Sequence, residues 1–278
     1  MQLKVYKALW GMCGELESQL IRIKEANYDG VEAGIPAPDQ AGLFTRLRKE
    51  LALGYVAAVF TSGPDHLDSF RRQLEQAARF EPDLVSSQSA EDSMSFAQQR
   101  AFFEGALEAE CESGLIVAHE THRQRAMFTP WSTAALCREF PELKLTADYS
   151  HWVCVCERFL DDQEAQLRIA NCRVIHIHGR IGFPEGPQVN DPRTPENRDA
   201  LLRHEEWWTQ IVKERQQAGA KTFTFNPEFG PPAYMHTLPF TEQPVADLWD
   251  VCFWMAERFR ARFPEMMDPQ ASNGKKER

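Results

Sequence analysis

The feature that most constrains the fold is a regular alternation of short apolar runs and longer amphipathic segments along the chain. Eight runs have the length and composition of buried strands, and helix-like segments with a period of about 3.6 residues lie between them. Strands and helices that alternate in this order form a parallel sheet with right-handed crossovers. The runs cover approximately residues 2–11, 29–35, 53–61, 83–88, 114–120, 142–148, 173–179 and 220–226.

Eight such units favour a closed barrel, because open doubly wound sheets usually have fewer strands. The length of 278 residues fits, since an α/β barrel typically takes about 250 residues in a single domain. No glycine-rich nucleotide-binding segment follows the first strand. We therefore expect an α/β fold, a single-domain (β/α)8 TIM barrel over residues 1–265, with a solvated C-terminal tail at 266–278.

Composition narrows the class of protein. A net charge of −10 argues against nucleic acid as the main partner, because Lys and Arg must neutralise the phosphates. Seven cysteines without the spacing of a disulfide scaffold suit a reducing compartment. No apolar run approaches the length of a membrane span, so no membrane association is expected. These observations predict a cytoplasmic protein.

Four of the predicted strands end in, or just before, a side chain that commonly binds metal. These side chains are Glu120, Asp148, His178 and Glu228, at successive separations of 28, 30 and 50 residues. The carboxyl ends of all strands of a barrel meet at one mouth. Three carboxylates and one imidazole suit one divalent ion, such as Zn²⁺, Mn²⁺, Co²⁺ or Mg²⁺. The sequence therefore predicts a metal site at the mouth of the barrel.

The seventh run carries two histidines that alternate with isoleucines. His176 and His178 therefore point to the same face of the strand, which in a barrel is the interior. His178 is nearer the mouth and is the predicted ligand, whereas His176 is predicted to support the ligands by hydrogen bonding from deeper in the barrel. Arg180 shares their parity and is predicted to bind an anionic or polyhydroxylated substrate.

Further polar residues at strand ends are candidates for substrate binding. Two of them also have a plainer interpretation, which is a structural position for Glu32 and a solvated side chain for Arg123. The candidates are Glu32, Gln88, His122, Arg123 and His151, the last reaching the site from the start of a loop after Asp148. The long irregular stretch 181–198 follows the seventh run and is either a loop that covers the substrate or a disordered surface loop.

These segments resemble the xylose isomerase-like TIM-barrel superfamily, in particular the sugar phosphate isomerase/epimerase group. The resemblance covers nearly the whole chain and is most specific at residues 119–123, 148–151, 176–180 and 226–228. In ketose 3-epimerases of this superfamily, Glu, Asp, His and Glu at the ends of strands five to eight bind the metal. The resemblance thus implies the ligands Glu120, Asp148, His178 and Glu228, and a substrate contact by His151.

Two positions depart from the epimerase pattern. The arginine six residues after the histidine of strand seven is replaced by Pro184, and a second glutamate beyond the strand-five ligand is replaced by Ala126. Arg180 is a candidate replacement for the missing arginine. The identity of the substrate is therefore less constrained than the metal site.

The predicted activity is a metal-dependent isomerisation or epimerisation of a sugar or sugar phosphate. Glu120 and Glu228 would be the catalytic groups that move a proton through a metal-stabilised enediolate. Two alternatives remain open, a metal-dependent endonuclease for abasic DNA and a non-catalytic barrel that binds carbohydrate or metal. Association into a homo-oligomer is also left open.

Overall fold

The computed structural model describes residues 1–267, and their central element is a closed barrel of eight parallel strands. Each strand pairs with its neighbours in sequence order, and β8 closes the barrel against β1. The strands are β1 (Gln2–Ala8), β2 (Gly30–Gly34), β3 (Gly54–Phe60), β4 (Leu84–Gln88), β5 (Val117–Glu120), β6 (Leu145–Ala147), β7 (Val174–His178) and β8 (Thr222–Asn226). The predicted single-domain (β/α)8 TIM barrel is confirmed.

Helices follow the strands and form the outer layer. They are α1 (Leu16–Glu25), α2 (Ala41–Glu50), α3 (His66–Ala78), α4 (Phe96–Ser113), α5 (Pro130–Glu139), α6 (Tyr149–Cys156), α7 (Glu164–Asn171), α8 (Arg198–Gln217) and α9 (Leu248–Met267), with short 3-10 turns at Asp161–Gln163 and Pro195–Asn197. The predicted tail begins inside α9 at residues 266 and 267, and its remainder lies outside the described residues. Among residues 1–267, no helix has the length and apolar character needed to cross a membrane.

The connection from β6 to the next helix differs from the prediction. No loop follows Asp148, because Asp148 is itself the N-terminal cap of α6 and its Oδ1 accepts the backbone N–H of Ser150 at 3.2 Å. The side-chain bond removes one of the unpaired donors that every helix has in its first turn. His151 therefore lies in the first turn of α6, where its position is fixed by the helix.

The barrel interior changes from apolar to polar towards the mouth. Tyr6, Val56, Leu84 and Ala118 form a buried cluster near the strand starts, and Ile175 packs against it. The register between β6 and β7 shifts at this level, since Leu145 and Thr146 pair with Val174 and His176. A bulge of this kind changes the direction of side chains. Ile175 therefore packs in the apolar layer near the strand starts, and the imidazole of His176, the next residue, lies in the polar layer nearer the mouth.

Candidate functional site

Glu120, Asp148, His178 and Glu228 converge at the mouth of the barrel. Glu120 and His178 are the last residues of β5 and β7, Asp148 follows β6, and Glu228 lies two residues beyond β8. One potential ligand atom from each of the four lies within 4.8 Å of those of the other three. Residues that are 108 positions apart in sequence are thus brought to one point by closure of the barrel.

The imidazole of His178 has a defined orientation. Its Nδ1 faces the cluster, at 3.3 Å from Glu120 Oε1 and 3.3 Å from Glu228 Oε2. Its Nε2 lies 2.8 Å from Oε1 of Glu32. A carboxylate on the far nitrogen of a ligating histidine fixes the ring and its tautomer. Nδ1 is therefore the nitrogen that His178 presents to a ligand in the mouth.

Glu32 occupies the centre of a buried hydrogen-bond network. Its Oε2 lies 3.1 Å from His176 Nε2 and accepts a bond of 2.7 Å from Asn226 Nδ2. His176 continues the chain through Nδ1, which is 2.8 Å from the hydroxyl of Thr224. Glu32 was predicted to bind substrate, but its carboxylate is bonded to two histidines and an amide. Its position is that of a group that orients His178.

Arg180 lies within the carboxylate cluster. It donates from Nε to the carbonyl of Glu228 at 2.8 Å, and its terminal nitrogen Nη2 contacts the carboxylate of Glu228 and lies 3.5 Å from Asp148 Oδ2. The guanidinium also faces the rings of Tyr234 and Trp10, at 4.6 Å and 5.6 Å from their centroids. Arg180 is almost fully buried. It neutralises part of the charge of the cluster, because buried carboxylates need a cationic partner.

The two glutamates of the cluster have pKa values displaced in opposite directions. Burial raises the pKa of Glu228 to about 7, although the charges of His178 and Arg180 oppose the change. Burial also acts on Glu120, but His178 and His122 outweigh it and lower the pKa of Glu120. One carboxylate thus favours the ionised form while its neighbour is close to accepting a proton at neutral pH.

His178 titrates with these carboxylates. Burial alone would lower the pKa of His178, but Glu228, Glu32 and Glu120 raise it well above its ordinary value. The proton on this imidazole is therefore strongly held among the three carboxylates. A bound cation would have to displace it, since an imidazole ligand binds metal in its neutral form.

The residues of the cluster fit a divalent cation. Asp148 is fully buried and uses Oδ1 for Ser150, whereas Oδ2 has no hydrogen-bond partner among the described residues. A buried acceptor that forms no hydrogen bond is unfavourable unless an ion or a donor binds it, and Arg180 Nη2 approaches Oδ2 only to 3.5 Å. Three carboxylates and one imidazole are also the donor set of many Zn²⁺, Mn²⁺ and Co²⁺ sites. Burial raises the pKa of Asp148, which a bound cation would reverse.

Two of the predicted substrate contacts lie outside the wall of the cavity. His151 is fully buried, with its ring 3.9 Å from that of His122 and Nε2 3.4 Å from Arg180 Nη1. Arg123 packs over Tyr234 at 5.0 Å from the ring centroid. Neither residue belongs to the wall of the mouth cavity, whereas their neighbours His122, Arg180 and Tyr234 do. Contact of His151 and Arg123 with substrate stays a prediction.

A cavity of about 380 Å³ borders the cluster at Glu228. Glu32, Gln88, His122 and Arg180 also belong to its wall, whereas Glu120, Asp148 and His178 do not. That the wall residues bind substrate stays a prediction. The remaining wall is mostly apolar: Ala8, Leu9, Trp10, Ala33, Gly34, Ala58, Phe60 and Tyr234. Trp10 and Phe60 could have been predicted from sequence, because each is an aromatic residue at or just beyond the end of a strand.

A second and larger cavity, of about 530 Å³, lies at the opposite end of the barrel among the strand starts. Its wall includes Lys4, Arg173 and Arg215 but none of the four residues of the carboxylate–histidine cluster. Active sites of TIM barrels lie at the carboxyl ends of the strands. The smaller cavity at the mouth is therefore the candidate active site.

The stretch that follows β7 is packed against the protein and does not cover the cavity. Ile181 and Val189 are buried, and the side chain of Gln188 bonds both backbone groups of Gly230, at 2.7 Å and 3.1 Å. An ideal Cβ on Gly230 would come within 2.2 Å of the ring of Trp10. The stretch therefore supports the β8 loop against which Trp10 packs. In this structure the stretch is packed rather than disordered, and none of residues 181–198 lines the mouth cavity.

Comparison with known proteins gives relatives by structure alone. No protein-family model and no curated protein sequence matches the chain. A xylose isomerase-like TIM barrel protein from Mycobacterium smegmatis, solved with magnesium, has a TM-score of 0.63 and 11% identity and covers 95% of this chain and 97% of its own. An AP endonuclease of family 2 from Brucella melitensis has a TM-score of 0.58 and 12% identity, with coverages of 91% and 98%.

A sugar phosphate isomerase/epimerase from Parabacteroides distasonis is similar to the same extent. Its TM-score is 0.57 at 11% identity, and the match covers 96% of this chain and 94% of the neighbour. The structural matches establish the architecture. Identities this low leave the reaction open, because one fold supports many chemistries. The chain therefore has the fold of the xylose isomerase-like TIM barrels.

Proposed function

We propose that the protein is a divalent-metal-dependent isomerase or epimerase that moves a proton next to the carbonyl group of a sugar-like substrate. The observation that carries the proposal is the convergence of Glu120, Asp148, His178 and Glu228, with potential ligand atoms within 4.8 Å of one another, beside a cavity that Glu228 lines. Two structural neighbours are named as a xylose isomerase-like protein and as a sugar phosphate isomerase/epimerase, and these names support the choice of a sugar isomerase or epimerase. The net charge of −10 leaves no excess of basic residues for a DNA backbone, so we do not propose the endonuclease activity.

The four ligands would hold the cation, and two of them, Glu228 and Glu120, would also act on the substrate. Bound there, the ion would supply Lewis-acid chemistry to a carbonyl oxygen. Glu228 would accept the proton at a carboxylate oxygen, because its pKa of about 7 lies close to neutral pH. Arg180 contacts Glu228 through both its backbone and its side chain and would hold that carboxylate in place. Glu120, which favours the ionised form, would face the substrate from the β5 side.

The substitution Glu228→Gln tests this assignment. It preserves the size of the side chain and one possible oxygen ligand but removes the group that would accept the proton. We expect turnover to fall by about a thousandfold, the middle of the range for removal of a general base, while most metal binding is retained. The assay is the incorporation of solvent deuterium across a panel of sugars with metal present. Full activity in this variant would contradict the proposal.

A specific observation also favours a second candidate, a barrel that binds ligands without catalysis. Arg180 already lies between Asp148 and Glu228, so these carboxylates have a cationic partner without any ion. Such a protein would bind sugars in the mouth but would exchange no substrate hydrogen with solvent. Tight binding without deuterium incorporation, in wild-type protein loaded with metal, would establish this second function in place of the first.

A further inference from the structure

We infer that the substrate carries its hydroxycarbonyl head on a neutral part with an apolar face, such as an aromatic or alicyclic ring, and that it is not phosphorylated. The inference rests on the proposed function, in which the head of the substrate lies over the carboxylate–histidine cluster. It is drawn from the part of the mouth cavity that the cluster does not use.

The wall of the cavity has a polar part and an apolar part. The polar part consists of Glu32, His122, Arg180 and Glu228, which belong to the cluster or lie beside it. The rest of the wall is formed by Ala8, Leu9, Trp10, Ala33, Gly34, Ala58, Phe60 and Tyr234, with the amide of Gln88 as the polar exception. A ligand that extends from the polar part across the cavity therefore meets aromatic and aliphatic carbon.

Two aromatic side chains in the apolar part of the wall are partly exposed to solvent. Trp10 is 41% exposed and Phe60 is 45% exposed, although both line the cavity. Covering such a side chain with a ligand is favourable, because it removes apolar surface from water. A flat apolar group also stacks well on an aromatic ring. The volume of about 380 Å³ lies in the range of small-molecule sites, so a ring fits beyond the head.

The charge of the wall disfavours a phosphate group. Among the residues that line the cavity, Arg180 is the one Lys or Arg side chain, and it shares the wall with the carboxylates of Glu32 and Glu228. Phosphate is usually bound by several donors that have no other anionic partner. A phosphate dianion in this cavity would be repelled by the carboxylates of Glu32 and Glu228, and the one guanidinium in the wall already neutralises part of their charge.

The donors of Arg180 are also directed at the protein. Nε bonds the carbonyl of Glu228 at 2.8 Å, Nη2 contacts the carboxylate of Glu228, and Nη1 lies 3.4 Å from His151 Nε2. Each of its three nitrogens thus faces an internal partner. Arg123 lies over Tyr234 and is not part of the wall. The described residues therefore offer no second arginine to a phosphate in this cavity.

Three hydroxamic acids test the inference, because they share one inert metal-chelating head and differ in the group attached to it. They are acetohydroxamate, phenylacetohydroxamate and phosphoglycolohydroxamate. Binding of each to the full chain in saturating Mn²⁺ is measured by titration calorimetry. We expect the phenyl compound to bind about tenfold more tightly than the methyl compound, from burial of the ring. The phosphate compound should bind no more tightly than the methyl compound.

The substitution Phe60→Ala locates the effect. We expect it to remove most of the gain from the phenyl group and to leave the affinity for acetohydroxamate within about twofold. Trp131→Ala is the matched control, since Trp131 is exposed to a similar degree, 46%, but does not line the cavity. It should change none of the three affinities.

Two results would overturn the inference. One is tighter binding of the phosphate compound than of the other two, and the other is an equal gain from the phenyl group in Phe60→Ala and wild-type protein. The proposed function fails in a different way. If none of the three compounds binds, the chelating head is wrong, and the proposed function is overturned together with the inference.

Discussion

At the scale of single residues, Arg180 decides the electrostatics of the mouth. Asp148, Glu120 and Glu32 are buried carboxylates, and Glu228 beside them is 16% exposed at its side chain. One guanidinium lies among them, and burial opposes its charge while Asp148 and Glu228 raise its pKa. Parity in β7 predicted that Arg180 would point inward. It could not predict that the guanidinium would contact the same carboxylates as the metal.

Replacement of Arg180 should therefore make the protein more dependent on metal. In Arg180→Met, Asp148 and Glu228 lose their cationic partner, and loss of one member of a buried pair costs about 3–5 kcal/mol. A divalent ion restores positive charge at the same place. We expect a lower Tm than wild type without metal, and a larger rise in Tm on addition of Mn²⁺ than wild type shows.

Arg258→Met is the control for this comparison. Arg258 bonds the buried carboxylate of Glu205 at 2.6 Å, away from the mouth. Its loss should lower the Tm by the same amount with and without metal. Equal metal-induced shifts in Arg180→Met and wild type would show that Arg180 and the ion do not share the carboxylates.

Glu32 offers a second test at this scale, because it acts on the metal through His178. In Glu32→Gln the amide cannot accept bonds from both histidines and from Asn226 as the carboxylate does. We expect metal affinity, measured by competition with a chelator, to fall about 10–100-fold. Glu110→Gln is the matched control, since Glu110 pairs with His119 at 2.8 Å outside the cluster. An equal loss of affinity in the two variants would contradict the role of Glu32.

At the scale of elements, β7 and the helices beside it place the polar groups. The alternation of His176 and His178 with isoleucines predicted two imidazoles in the barrel, and both are there. The bulge at Ile175 and the start of α6 at Asp148 were not predicted. Both depend on pairing or capping partners that a period of two residues does not contain.

The helix α8 fixes the chain just beyond β7 through a neutral histidine. His204 accepts the backbone N–H of Gly182 at Nε2, at 3.3 Å, and its Nδ1 donates to the carbonyl of Ala200 at 2.9 Å. Protonation of Nε2 would break the first of these bonds. Burial lowers the pKa of His204 from 6.5 to about 4.

This histidine should make the protein less stable in acid. The unfolded chain binds the proton below about pH 6.5 and the folded protein below about pH 4, so the unfolded state holds more protons between these values. The contribution of neutral His204 to the free energy of unfolding is complete above pH 6.5 and is lost as the pH falls towards 4. It amounts to about 3 kcal/mol. Urea unfolding of His204→Gln from pH 7 to pH 4 should show a flatter pH dependence than wild type. The exposed His236, as His236→Gln, is the control, and an unchanged slope in His204→Gln would refute this assignment.

At the scale of the whole molecule, the candidate metal site joins half of the barrel. Its ligands come from β5, the start of α6, β7 and the segment after β8, so a bound ion would connect elements from residue 120 to residue 228. An ion that binds the folded state alone raises global stability, by about 2.7 kcal/mol at a hundredfold excess over its Kd.

Metal content and thermal stability should therefore change together. We expect freshly purified protein to hold about one divalent ion per chain, as in other sites with a single set of four ligands. Removal by a chelator should lower the Tm, and addition of Mn²⁺, Co²⁺ or Zn²⁺ should restore it. The double variant Glu120→Ala/Asp148→Ala should contain no metal and show no such shift. Absence of metal from both proteins, even after loading, would rule out the site.

The sequence by itself determined the architecture and the parity of the mouth residues. Eight alternating units specify a parallel sheet, and strand periodicity specifies which side chains face inward, because both depend on neighbours in the chain. Only the tertiary structure decided how these side chains are used. In the structure, Glu32 bonds two histidines and Arg180 lies among the predicted ligands. His151 and Arg123 are not part of the cavity wall, whereas Trp10 and Phe60 are. These outcomes depend on distances between residues far apart in the chain, which barrel closure sets and no local pattern encodes.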